Sequence, residues 1–183
     1  MERIDGEDID YFLLQIEQRL KDKAETERSA EEWRQIMGFE IWMPEDFALA
    51  DQERVSKIFW SENRPEILLL SEKERAGIVF QPLDDMENFS EEAAENSMER
   101  MMTVLRKLDD RTVCYDRGEA GNENGIRIYW MEYKSFTADD RVYNFLFLFQ
   151  IKGQYILGKF YCPFERYERW KPMVCEMLQS VRE

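Results

Sequence analysis

The chain has no histidine among its 183 residues. The side chain that most often serves as general base or metal ligand near neutral pH is therefore missing. Ser–His and Cys–His nucleophile pairs cannot form within it. Cysteine is scarce and odd in number, with Cys114, Cys162 and Cys175 showing no CxxC spacing. All three fall in apolar strand or helix patterns, so they read as buried small hydrophobes in a reducing compartment. Long apolar runs are absent too. Nothing approaches the ~18 residues of a membrane span, and the opening Met-Glu-Arg-Ile-Asp-Gly lacks the apolar stretch of a signal peptide. A cytoplasmic chain is expected, in which the sequon at Asn88 has no role. Basic side chains are the minority, 25 against 39 acidic ones, for a net charge of −14. That balance argues against duplex DNA, RNA and anionic membranes, which require clustered Lys and Arg.

What the chain does have is a core. Hydrophobic residues make up 44% and aromatics 14%, enough for one domain that needs neither a disulfide nor a metal staple. Charged residues reach 35%, above the ~25% of an average domain. The acidic excess confers solubility or steers the chain to a basic partner.

Periodicity orders the elements. Ile9, Phe12, Leu13, Ile16 and Leu20 recur at helical spacing and predict an amphipathic helix over residues 8–25. Its acidic polar face disfavours a membrane. It can pack on its own sheet or on a second copy. Ser29 and Glu32 form a capping box, which predicts a short helix carrying Trp33, Ile36 and Met37 and closed by Gly38. Strands are expected at 39–43, 55–60, 67–70 and 76–80, the first ended by Pro44 and the last by Pro82. After an acidic linker at 84–88, Ser90 caps a helix whose apolar face is Ala94, Met98, Met101, Met102, Leu105 and Leu108. A strand at 112–116, a glycine-rich loop at 118–125, a strand at 126–133 and a polar loop at 135–141 follow. The segment 143–151 then turns at Lys152-Gly153 into 154–162. Phe145 to Phe149 lacks polar alternation, which marks a strand covered on both faces. The final helix carries Trp170, Val174, Met177, Leu178 and Val181, and Pro172 requires it to start near Arg169 or to bend. This order predicts an α+β fold, an antiparallel β-sheet meander sandwiched by helices.

A strand ending Phe39-x-Ile41-x-x-Pro44, a strand pair, a crossover helix and a meander closing on Trp170-Lys-Pro-Met-Val-Cys-Glu-Met-Leu-Gln-Ser-Val181 together resemble the PsbP-like superfamily. That group joins the extrinsic subunit of photosystem II, a Ran-GTPase-binding protein and many uncharacterised bacterial proteins. The resemblance spans residues 39–182, implying a domain at 39–183 preceded by a helical arm at 1–38. It implies a non-enzymatic accessory or binding role. It carries no ligand-binding residue onto this chain.

Residue chemistry supplies few sites. Asp84, Asp85, Glu87 and Asn88 offer oxygen ligands without the twelve-residue calcium spacing, so a solvated linker is the reading. The glycines of 118–125 lack a GK[ST] ending, and Glu119 and Glu123 would repel phosphate. Glu132, on an aromatic strand, is the one carboxylate to single out for acid catalysis, and an exposed strand position explains it better. Trp42, Tyr129 and Tyr133 are candidate partner contacts, and Trp130 belongs with them. Aromatics are enriched at hot spots, but they are also ordinary strand and core material. No catalytic residue, metal or cofactor is expected. Three functions remain: a non-catalytic module recognising a protein partner through an acidic surface, a small-ligand binder using a cavity between sheet and helix, and a hydrolase or lyase working with carboxylates alone. The first covers chaperone, immunity and housekeeping roles.

Overall fold

A computed structural model of the chain describes residues 33–59, 64–83 and 91–183. The arm helix expected over 8–25, the linker at 84–88 and the Ser90 cap lie outside those residues. In chain order the elements are β1 (Trp33–Ile36), β2 (Phe39–Trp42), β3 (Ala48–Leu49), α1 (Gln52–Ile58), β4 (Ile67–Ser71), β5 (Ala76–Leu83), α2 (Glu91–Leu108), β6 (Val113–Gly121), β7 (Arg127–Phe136), β8 (Arg141–Ile151), β9 (Gln154–Pro163), a 3-10 turn (Phe164–Arg166) and α3 (Tyr167–Ser180). Seven strands form one antiparallel sheet in the order β3-β4-β5-β9-β8-β7-β6, and β1 and β2 form a separate hairpin. The α+β sandwich expected from the element order is the architecture found.

The sequence of β8 explains the layering. Side chains alternate between the faces of a strand. Tyr143, Phe145, Phe147, Phe149 and Ile151 point into a cluster with β2, α3 and Phe39. Leu146 and Leu148 point the other way, into a cluster with Met98 and Met102 of α2. Both faces are covered, so no polar residue is required between Phe145 and Phe149. Burial of each phenylalanine contributes about 1.5–3 kcal/mol, and Phe39 and Phe149 meet edge-on at 5.2 Å. The turn into β9 is the expected one, with Lys152 and Gly153 both at positive φ, as a two-residue hairpin loop requires. Gly158 lies opposite Phe147, and a Cβ at that position would collide with the edge of the phenyl ring.

Several expectations are corrected. Trp33–Ile36 is a strand, paired Trp33 to Trp42 and Ile36 to Phe39. Gly38, read as a helix stop, is the second residue of a hairpin turn in which Met37 also takes positive φ. Ile36 enters the main core, so the domain includes the whole β1–β2 hairpin, and the boundary at 38 falls inside it. The segment from Val55 is a helix, because Asp51 caps it through the Arg54 amide at 2.8 Å and only Val55 is buried. β5 continues through Pro82 to Leu83, where it has outrun β4 and pairs with β9 alone. β6 runs through Gly118 to Gly121, since pairing with β7 continues across the glycines and Gly118 faces the Trp130 indole. α3 begins at Tyr167 and carries Pro172 inside it. The 3-10 turn starts the spiral early, and the exposed face tolerates one missing backbone bond.

Candidate functional site

The three expected contact aromatics are interior. Trp42 lies in the α3-side core, and its backbone amide donates to Ser180 Oγ at 2.8 Å. Tyr129 and Tyr133 stand on the face of β7 that α2 shields, beside Met98 and Met102. Their positions along β7 share one parity, so a single helix covers both. All three are buried in the core, with Tyr129 also lining the groove between α2 and β6. Trp130, on the opposite side, stacks on Phe145 at 5.5 Å. Of the expected methionine stripe, Met98 and Met102 are buried, whereas Leu108 at its end is 78% exposed.

Glu132 departs most from expectation. It is 4% exposed, held by Tyr143 Oη, which donates at 2.8 Å, and by Lys171 Nζ at 2.6 Å. It faces α3 because it shares parity with Ile128 and Trp130 on β7. Asp116 sits directly across on β6, and Cys175 follows Lys171 by one helical turn. The shifts of Tyr143, Lys171 and Cys175 all favour the protonated form. Burial, reinforced by the Glu132 acceptor and its charge, pushes the Tyr143 phenol far above its usual range. The hydrogen bond to Glu132 holds the Lys171 ammonium above its ordinary value. Of the three cysteines expected to be buried only Cys162 is; Cys114 is half-buried and Cys175 is exposed. Partial desolvation raises the Cys175 thiol, and burial drives Cys162 up to about 12. A general acid or base works best with a pKa near the operating pH. These phenol and thiol groups stay protonated at neutral pH, and the lysine stays charged.

A second buried carboxylate, Glu74, is 5% exposed in the β4–β5 turn. It accepts from Arg166 at 2.8 Å and Arg169 at 3.0 Å. The two carboxylates share one task, tying the first turns of α3 to the sheet. The far end of α3 is held by Asn122, which donates to the Val181 carbonyl at 2.7 Å, and by Asn124 at 2.9 Å. The polar residues of the glycine-rich segment thus serve as a helix anchor. Among the described residues the buried donor Trp170 Nε1 has no acceptor. Its ring is held by packing against Phe47 and Phe160. Glu132 was visible in the sequence as a carboxylate on an aromatic strand. Glu74, in a charged turn, gave no signal. Among the described residues no group of three or more acids and cysteines could hold a metal, and no helix is long and apolar enough to cross a membrane.

Clefts flank α2. Two adjoining grooves of about 230 and 420 Å³ run between α2 and the edge strand β6, sharing Glu99 and Arg117, which pair across them at 3.5 Å. On the other flank of α2 an apolar cavity of about 220 Å³ opens over β5, β8 and β9.

An antiparallel sheet clamped between a crossover helix and a C-terminal helix, with no reactive residue constellation among the described residues, defines a class of α+β scaffold. Comparison with solved structures makes this the PsbP-like fold. Cyanobacterial PsbP from Synechocystis superposes with a TM-score of 0.60 at 12% identity, over 84% of this chain and 94% of that one. A protein of unknown function from Pseudomonas aeruginosa, PA94, aligns at 8% identity and a TM-score of 0.47, over 82% of this chain and 95% of that one. No family model and no curated protein matches the chain.

Proposed function

We propose that the protein is a non-catalytic, cytoplasmic binding module that recognises a protein partner, with its acidic excess setting the electrostatics of the encounter. The observation that carries this reading is the use made of the buried ionisable groups. Glu74 and Glu132 are neutralised by Arg166, Arg169 and Lys171 and fasten α3, which leaves neither free as a catalytic acid. The distribution of charge sharpens the reading. The described residues hold 24 acidic and 20 basic side chains, so ten of the fourteen surplus negative charges belong to residues 1–32, 60–63 and 84–90. A basic partner would meet its strongest attraction at those segments.

The test is retention of partners on the immobilised full-length chain from lysate of its own cells, at low and at high salt, with mass spectrometry of what remains. One stoichiometric protein, lost as salt screens the charges, supports the reading. A bait that retains nothing at either salt overturns it.

A further inference from the structure

Lys159 lies in the middle of β9, level with Val79 of β5 and Leu146 of β8. Leu157 and Tyr155, two and four residues before it, belong to the α2 side of the sheet, so the alternation of strand side chains places Lys159 on that side as well. There it forms part of the cavity of about 220 Å³ whose apolar walls are Val79, Leu146 and Leu157 from the sheet and Met101 and Leu105 from α2. Besides the lysine, only Gln81 and Tyr133 bring side-chain polar groups to the lining, and neither is an anion at neutral pH. Among the described residues its ammonium meets no carboxylate; its contact is the ring of Tyr161, with the centroid 5.9 Å away. Burial pulls its pKa below the ordinary lysine value.

Lys159, half-buried, contrasts with the two buried carboxylates. Glu74 and Glu132 each find cations within the chain. A partly desolvated charge without a counter-ion costs stability, and among the described residues Lys159 carries that cost beside a cavity. We infer that this cavity binds a small amphipathic acid, with the carboxylate on Lys159 and the hydrocarbon body between α2 and the sheet. The volume lies below the roughly 300 Å³ at which ordinary ligand sites begin, which restricts the occupant to a short aliphatic acid of about six to eight carbons or an arylalkanoic acid of similar bulk. The site stands whether or not a protein partner exists.

The experiment is calorimetric titration of the full-length chain with octanoate and with 3-phenylpropanoate, alongside thermal shift. Saturable binding with a raised Tm is expected. Octanamide, of the same shape but uncharged, should bind weaker by about tenfold or more. Lys159→Met keeps an unbranched apolar side chain in the strand, so it should fold and lose a similar factor for octanoate. Met101→Trp should fill the cavity from α2 and abolish binding with the lysine intact; circular dichroism checks that it folds. Octanamide binding as tightly as octanoate, or Lys159→Met at wild-type affinity, would overturn the role of the cation. A lack of saturation with both acids would overturn the site, including the case in which a carboxylate from residues 1–32 or 84–90 takes the ligand's place.

Discussion

Replacing Lys171 with methionine removes the ammonium that neutralises Glu132 but keeps most of the side-chain stem. Removing one partner of a buried ion pair typically costs about 3–5 kcal/mol, because the remaining charge stays desolvated. Two features reduce that figure here. The Lys171 side chain is 42% exposed, so water already screens part of the pair, and Tyr143 continues to donate to the carboxylate at 2.8 Å. The expected loss is therefore about 2 kcal/mol, or about 4–8 °C in Tm for a chain of this length. Converting Glu132 to leucine in the same protein removes the stranded charge and should recover most of the loss. The orphaned Tyr143 hydroxyl still costs about 1 kcal/mol, and adding Tyr143→Phe should bring the triple variant close to wild type. Urea unfolding of the set at pH 7, followed by circular dichroism, gives the coupling energies directly. Lys171→Met within about 0.5 kcal/mol of wild type, a change no larger than ordinary surface substitutions give, would refute the argument that this pair fastens α3. So would strictly additive single effects of the Glu132 and Lys171 changes, since residues in contact should couple.

Gly158→Ala should destabilise by at least about 1–3 kcal/mol, the cost of overpacking a filled core, because the new methyl collides with the buried Phe147 ring; a neutral result in the same urea assay would show that β8 and β9 can separate locally. Alkali should weaken the fold. The Cys162 thiol and the Tyr133 phenol are both pushed up to about 12 by burial, so the unfolded chain gives up these protons first. Stability is then lost as pH climbs from about 9 towards 12. The raised Lys171 acts in the same direction above its ordinary value of 10.5, whereas the lowered Lys159 opposes it up to that value. Thermal melts from pH 8 to 12 should show a net fall that is shallower in Cys162→Val; a flat profile would contradict the burial of these groups.

The sequence announced its long elements and missed its short ones, for physical reasons. An eleven-residue strand such as β8 repeats its pattern often enough to fix both its type and its two-sided burial, and Lys152-Gly153 marks its end. β1 is four residues long, and Trp33 and Ile36, three residues apart, fit a helical spacing rather than the alternation of a strand. Its hairpin turn uses Met37 in the left-handed region, a position that methionine does not advertise. α1 owes its form to a cap rather than to an apolar face, so the run from Val55 to Trp60 suggested a strand. Gly118 and Gly121 signalled a loop, yet the strand ladder overrode them. The site residues were harder still. Glu132 stood out, but its partners lie 11 and 39 residues away in sequence, and no local pattern encodes such a meeting. Trp42, Tyr129 and Tyr133 could have been core or contact by composition, and only the position of the covering helices separates the two. Lys159 sits in a strand otherwise rich in apolar residues, and no local pattern separates its charge from an ordinary exposed alternation.

The most direct test of the binding-module account is the salt dependence of affinity for the retained partner, measured for the purified full-length chain and for a variant in which Asp84, Asp85 and Glu87 are neutralised to Asn, Asn and Gln. The account predicts that affinity falls steeply from low to high salt in the wild type, and that the variant binds more weakly with a shallower dependence. Affinity that is independent of salt, and equal in the two proteins, would contradict it.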